Sequence, residues 1–246
     1  MRIGCAGWSI PAAHADRFGD GESVLARYAT RFNGVEINSS FYRPHRVQTY
    51  ERWAASVPRD FLFSTKLPKS ITHDARLYGV ADLVQRFVDE VSGLGDKLGG
   101  VLVQLPPSLV HDARIANTFF AMLRRRFDVP LACEPRHPSW FEPVVDALWV
   151  RHGIARVAAD PARPPAAAAP GGAGAWTYWR WHGSPDIYYS AYDDTRLSDL
   201  EHALRLHAPR TGDAWCIFDN TAAGHAIADA LRLRERMAAQ RGDVVR

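Results

Sequence analysis

Short apolar runs with a period of two alternate along this chain with segments whose apolar residues recur at helical spacing. The runs predict eight strands: Ile3–Ser9, Gly34–Tyr42, Phe61–Leu67, Gly100–Leu105, Val129–Cys133, Ile154–Asp160, Trp176–His182 and Ala214–Asp219. The helical segments are Glu22–Phe32, Gln48–Val57, Asp82–Leu98, Ala113–Phe127, Pro143–His152, Leu197–His207 and His225–Gln240. In Asp82–Leu98, Leu83, Phe87, Val91 and Leu94 fall on one face. Between the sixth and seventh strands the pattern fails. Pro161–Ala175 is almost entirely Pro, Ala, Arg and Gly, which forbids a regular helix and predicts a loop in place of the sixth helix. Strands alternating with helices imply a parallel sheet with right-handed crossovers. Eight such units in 246 residues predict an α/β fold, a single (β/α)8 TIM-type barrel formed by residues 1–246 as one domain. The alternative is an open doubly wound sheet. It lacks its usual signature, since Gly4 and Gly7 with Trp8 do not make a dinucleotide fingerprint.

The polar positions within the strands carry the next inference. Successive strand residues point to opposite faces, and the face packed on helices must be apolar. Near the C-terminal strand ends, the polar residues share one parity: Glu36 and Asn38, Ser64 and Lys66, Gln104, Glu134 and Arg136, Arg156 and Asp160, and Arg180 and His182. The eighth strand offers Asp219 or Asn220, depending on any bulge. In a barrel this parity faces the axis, and the C-terminal mouth is where such folds place their sites. The stretch Leu131–Phe141, LACEPRHPSWF, concentrates a carboxylate, a guanidinium and an imidazole at one strand tip. His137 falls on the other parity, and His73 lies in a loop; both are read as shaping residues.

Composition narrows the partners. A net charge of +3 and a pI near 8.9 are too weak and too dispersed to imply nucleic-acid binding alone. Cys5, Cys133 and Cys216 each sit in an apolar run without metal-type spacing, as in a protein of the reducing cytoplasm. No apolar stretch reaches about 18 residues, so no membrane span is expected, and no obligate protein partner is evident.

Several motifs occur in one order: Glu36-Ile-Asn38, Glu134-Pro-Arg136-His137-Pro138-Ser139-Trp140, Arg180-Trp-His182-Gly183 and Phe218-Asp219-Asn220. Supporting stretches are GCAGWS, RYATRFNGVEINSSFYR, Thr72-His73, VLVQLPPSL and FDNTAAGHAIADALRL. With these the chain resembles the YecE-like family, domain of unknown function 72, over nearly its whole length. The resemblance implies a TIM-type barrel and no particular reaction. Likeness of that barrel to endonuclease IV and xylose isomerase suggests phosphodiester or nucleic-acid chemistry, by analogy of fold alone. The chain departs from the family at Ile10–Ala15, where an aromatic-rich first loop is common, and in the Pro/Ala-rich sixth loop.

The expected activity is hydrolytic, phosphodiester-type acid–base chemistry on an anionic small-molecule or nucleic-acid-like substrate. Lys66, Arg136 and Arg180 would neutralise the anion, Glu134 or Asp160 would act as base, and His182 as acid. Glu36, Asn38, Tyr42, Gln104, Trp140, Asp219 and Asn220 complete the expected contacts. No cofactor is required; in a divalent-metal variant Glu134, Asp160, His182 and Asp219 would be ligands. In a Schiff-base variant Lys66 would be the nucleophile of a lyase or aldolase, its pKa lowered by burial near Arg136 or Arg180. A non-catalytic alternative is a nucleic-acid or sugar-binding module. It would use Trp8, Phe41, Tyr42, Trp140, Tyr188, Tyr189 and Tyr192 as stacking surfaces beside Arg and Lys; the other reading of Trp140 and Tyr42 is ordinary core packed under loops.

Overall fold

In the computed structural model, residues 1–173, 176–209 and 213–242 are described. The strands are β1 (Arg2–Cys5), β2 (Gly34–Ile37), β3 (Leu62–Lys66), β4 (Leu98–Gln104), β5 (Leu131–Glu134), β6 (Ile154–Arg156), β7 (Ala158–Asp160), β8 (Gly171–Gly172), β9 (Thr177–Trp181) and β10 (Ala214–Phe218). They form two sheets, ordered β1-β10-β9-β7 and β2-β3-β4-β5-β6-β8. All pairings are parallel except β6 with β8. The fold is therefore mixed α/β built on parallel sheets. The sheets meet in two places. A parallel bridge joins Ala6 to Glu36, and the Gly7 amide donates to the Glu36 carbonyl at 2.9 Å. β6 and β7 are separated only by Val157, whose amide donates to the Cys133 carbonyl of β5 at 2.8 Å.

The α-helices are α1 (Val24–Tyr28), α2 (Val47–Ala55), α3 (Ala81–Val91), α4 (Ala113–Arg124), α5 (Pro143–His152), α6 (Asp194–Leu206) and α7 (His225–Gly242). Side-chain caps start three of them: Ser23, Asp112 and Asp193 each accept from the amide three residues on. The long helix expected over Asp82–Leu98 ends at Val91. A 3₁₀ segment, Ser92–Lys97, replaces its last turns, with Gly95 at φ 50°. Glycine adopts this positive φ without a Cβ clash, and the non-helical residue kinks the chain before β4. The sixth interval holds only a 3₁₀ turn at Pro165–Ala168 and the two-residue β8. The predicted loop thus carries no α-helix among its described residues; Gly174 and Ala175 lie outside them.

Several strands end earlier than their apolar pattern suggests. β1 stops at Cys5, and β2 gives way after Ile37 to a 3₁₀ turn at Ser39–Phe41. The freed segments carry the polar groups described below.

The two faces of the sheets separate two cores. Val35, Ile37, Phe63, Val101, Val103, Leu131, Cys133, Trp179, Trp181, Cys216 and Phe218 pack with helix residues such as Leu25, Val84, Phe119 and Leu197. The opposite face carries a smaller cluster of Leu102, Ala132, Ala155, Val157, Tyr178, Trp215 and Ile217, with Trp176 beside it. A Cβ at Gly100 would lie 2.7 Å from the Trp176 ring, so the glycine admits this indole against the sheet.

The sixth strand corrects the parity reading. Ala155 and Val157 join the small inner cluster, so Arg156 faces outward, and the register pairs Ala159 with Arg180 and Asp160 with Trp181. Asp160 therefore points to the helix side, away from the other polar tips. The assumption of an apolar outer face holds only where a helix covers it. Here a loop does: Arg156 donates to the Ala166 carbonyl at 2.7 Å and lies over the Phe141 ring. All three cysteines are free and buried. Among the described residues no helix is long and apolar enough to cross a membrane.

Candidate functional site

Arg180 organises the inner face. Its side chain on β9 is fully buried, where an unpaired guanidinium would be prohibitive. Three carboxylates surround it. Glu36 from β2 accepts from Nε at 3.0 Å and Nη2 at 2.7 Å, Glu134 from β5 accepts from Nη1 at 2.6 Å, and Asp219 beyond β10 accepts from Nη2 at 2.9 Å. The Tyr178 hydroxyl donates to Glu36 at 2.9 Å and contacts Ser64 Oγ at 2.6 Å. Each acid thus comes from a different strand end, and the parallel register brings them to one level.

His182 closes a second ring. Its Nδ1 lies 3.0 Å from Asp219 Oδ2 and its Nε2 lies 3.1 Å from Glu134 Oε1. Carboxylate oxygens only accept, so both contacts are satisfied only when both ring nitrogens carry hydrogen. His182 is held as an imidazolium. Burial by itself would lower its pKa, but the Glu134 charge and the hydrogen bonds to Asp219 and Glu134 raise it above the ordinary 6.5. Burial likewise pushes the Glu134 carboxyl up, and Arg136, Arg180 and His182 outweigh it, leaving the pKa well below the usual range. Asp219 is lowered in the same way: Arg180 is the largest influence opposing burial, followed by His182.

Arg136 and Gln104 complete the contacts to Glu134. Arg136 donates to Oε1 through Nε at 2.9 Å, with its Nη2 in ion-pair contact with the same oxygen at 2.9 Å, and Gln104 Nε2 donates to it at 3.1 Å. Lys66 differs from these groups. It is 4% exposed, yet among the described residues no carboxylate oxygen lies within 4.0 Å of its Nζ. Nζ sits 4.1 Å from the centroid of the Phe41 ring. Burial and repulsion from Arg180 bring its pKa down from 10.5 to about 8, against the pull of Glu36, Asp219 and Glu134. The three carboxylates thus face Arg180, Arg136, His182 and Lys66, which leaves one positive charge in excess when Lys66 is protonated.

Beside this network lies a recess of about 120 Å³, reached by Glu134, Arg136, Arg163 and His182 and walled by apolar residues including Pro107, Ala159 and Ile187. A larger hollow of about 890 Å³ is an open surface bowl over Arg43, His45, Arg46 and Arg52 and contains no buried ionisable group. The chemistry concentrates in the smaller one.

The structure brings Glu36, Lys66, Gln104, Glu134, Arg136, Arg180, His182 and Asp219 together, and leaves other candidates outside. Asp160 binds Arg196 of α6 and accepts from the Tyr192 hydroxyl at 2.8 Å. Asn220 is fully buried on the helix side and donates to Asp229 at 2.8 Å and to the Ser190 carbonyl at 3.0 Å. Trp140 is 1% exposed, donates to the Leu109 carbonyl at 2.8 Å and stacks on Trp149, so it supports loops and cannot meet a ligand. Asn38 makes no side-chain hydrogen bond, and its Oδ1 is buried without a partner. Tyr42 is exposed at the rim. Partial burial raises its pKa, and Tyr188, Asp219, Arg180 and Arg136 all act on its hydroxyl. Of the other aromatics, Phe41 and Tyr192 are buried, Trp8 packs edge-on against Trp53, and only Tyr188 and Tyr189 remain exposed.

A divalent ion does not fit the residues named for it. Asp160 faces away, and the Arg180 guanidinium fills the space between the carboxylates. Among the described residues no group of three or more His, Cys, Asp or Glu is arranged to hold a metal.

Tyr188, expected from the sequence only as one of several stacking aromatics, lies against His182. It has φ 72°, unusual for a residue with a side chain, and its ring meets His182 edge-on at 5.9 Å. Its only sequence signal was membership in a run of loop aromatics.

The profile of the family described as "Protein of unknown function DUF72" matches residues 2–246. The chain belongs to this family. The UPF0759 protein YecE of Escherichia coli K12 is 32% identical over 163 residues, covering 61% of this chain and 56% of that protein. The UPF0759 protein YunF of Bacillus subtilis 168 is 30% identical over 151 residues, covering 57% and 52%. The chain spans about half the length of the curated relatives it matches. Crystal structures of DUF72 family proteins from Enterococcus faecalis V583 and Thermotoga maritima MSB8 superpose with TM-scores of 0.80 and 0.79. Their identities are 21% and 22%, and each covers 96% of this chain and 95% or more of its own. That likeness concerns the fold.

Proposed function

We propose that the buried network is the active site of an enzyme that performs hydrolytic, phosphodiester-type acid–base chemistry on a small anionic substrate. The observation that carries this reading is Lys66, a buried ammonium with no carboxylate within 4.0 Å among the described residues, whose charge is the one positive charge the network holds in excess. A buried cation left unpaired is expected where a ligand supplies the missing anion. The single closed (β/α)8 barrel belongs to the same proposal. The Ala6–Glu36 bridge, the β10–β1 pairing and the continuity of β6 with β7 support it. The buried free cysteines suit a cytoplasmic protein.

Roles follow from protonation. Glu134, held low by its partners and engaged by four donor groups, is a poor base. With a pKa of about 8, Lys66 is mostly an ammonium at pH 7 and would bind a phosphoryl oxygen of the substrate. Water would attack phosphorus and pass a proton to a phosphoryl oxygen, the bond to the leaving oxygen would break, and His182 would donate its proton to that leaving oxygen. Arg136 would neutralise the phosphoryl charge. The test is turnover of a panel of small phosphate mono- and diesters. His182→Gln should lower kcat at least about a hundredfold, the usual scale for a lost acid, and Lys66→Met should lower it by a similar factor through the lost charge on the phosphoryl group. Unchanged turnover in both would end the proposal.

The same lowered pKa favours a second reading, in which Lys66 forms a Schiff base with a carbonyl substrate. Borohydride trapping of a carbonyl compound on Lys66, absent in Lys66→Met, would select it.

A further inference from the structure

The recess beside His182 has features that the ion network does not explain. Arg136 uses Nε and Nη2 on Glu134 Oε1 and also meets the Tyr188 hydroxyl, and among the described residues its Nη1 has no acid partner. Arg163 enters the recess from the Pro/Ala-rich loop, between Pro161 and Pro164, and among the described residues it makes no salt bridge. The prolines at Pro161 and Pro164 hold φ near −65° and so limit where the intervening chain can carry this guanidinium. The remaining walls, Pro107, Ala159, Pro161 and Ile187, offer no side-chain hydrogen-bond donor. A volume of about 120 Å³ corresponds to roughly four water molecules. It is well below the roughly 300 Å³ at which pockets for drug-sized ligands begin.

We infer that this recess is a subsite for a second, short acidic arm of the substrate, an oxyanion read by Arg163 with Arg136. The inference rests on the reading of the network as an active site and names its substrate class: a small molecule with two acidic ends and a short apolar spacer. Two guanidiniums suit a carboxylate or a phosphate arm equally, because both present paired oxygens to a fork of N–H donors. The apolar walls hold the spacer. Arg163 is exposed and outside the buried network, so its removal tests binding without disturbing the fold.

The probes are methylphosphonate, with one acidic end, and phosphonoacetate and 1,2-ethylenediphosphonate, with two. Calorimetric titration of the wild-type protein should give tighter binding of both two-ended probes by about tenfold or more, the size of one charge-assisted hydrogen bond. Arg163→Ala should erase that gain and leave methylphosphonate binding unchanged, while Arg163→Lys should restore part of it. The relative affinity of phosphonoacetate and ethylenediphosphonate assigns the arm as carboxylate or phosphate. Equal affinities for one-ended and two-ended probes, or a gain that survives Arg163→Ala, would overturn the subsite. Failure of the underlying reading looks different: Lys66→Met would leave the affinity for all three probes unaltered.

Discussion

Replacing Lys66 with Met should make the protein more stable at neutral pH. The side chain is 4% exposed, so solvent screening offers little relief from burying its charge. Its pKa falls from 10.5 to about 8. At about 1.4 kcal/mol per pH unit, holding Lys66 protonated in the fold costs about 3 kcal/mol relative to the neutral amine. Methionine keeps the length and apolar stem and removes the charge. The sign with pH is fixed by linkage. Between pH 8 and 10.5 the unfolded chain holds this proton and the folded protein has released it, so wild-type stability gains as pH rises. The penalty is complete below about pH 8 and gone above 10.5. Urea unfolding of both proteins at pH 7 and pH 10 measures the difference. Lys66→Met should lead by about 2–3 kcal/mol at pH 7, and most of that lead should vanish by pH 10. A lead that is independent of pH, or a variant less stable than wild type at pH 7, would refute the reasoning. A destabilising residue kept at the centre of a site is the expected trade of stability for function.

Further outcomes follow from the same contacts. Arg180→Met leaves Glu36, Glu134 and Asp219 without their shared cation and should lower stability by about 3–5 kcal/mol in chemical denaturation; a loss under 1 kcal/mol would show that the acids do not depend on it. His182, observed by NMR, should titrate above 6.5. Its contribution to stability is complete below 6.5 and lost as pH rises through its raised pKa, so His182→Gln should narrow its gap to wild type on going from pH 6 to pH 9. Trp140→Phe should cost about 1–2 kcal/mol through the lost bond to the Leu109 carbonyl while phosphonate binding stays at the wild-type level; weaker binding would return Trp140 to the site. Asp160→Asn should leave turnover unchanged, because its partners are Arg196 and Tyr192 on the helix side.

How much of this was legible in the chain depended on the range of the interaction involved. Period-two alternation is local, and it sufficed to place Glu36, Lys66, Gln104, Glu134, Arg136 and Arg180 on one face and so to collect the network. It failed at Arg156 and Asp160 because its premise, an apolar outer face, belongs to helix-covered strands, and the sixth strand is covered by a loop. The choice between Asp219 and Asn220 turned on where β10 ends, at Phe218, which pairing with β9 decides and local pattern does not. The burial of Trp140 depends on Leu109 and Trp149, neither adjacent in sequence. The protonation of His182 and the isolation of Lys66 were beyond reach for the same reason. Both follow from which carboxylates arrive from other strands, and at what distance. Strand ends were overextended because apolar alternation continues after ladder pairing stops, as at Ile3–Ser9 against Arg2–Cys5.

The central claim is that Lys66, a buried cation with no carboxylate within 4.0 Å among the described residues, is kept for an incoming anion. Its most direct test is an NMR titration of Lys66 in protein labelled with ¹³C at lysine Cε, with and without saturating methylphosphonate, using Lys66→Met to assign the signal. The account predicts a midpoint of about 8 in the free protein and a clear upward move when the anion binds beside the ammonium. A free-protein midpoint at the ordinary 10.5, or one that methylphosphonate leaves in place, would contradict it.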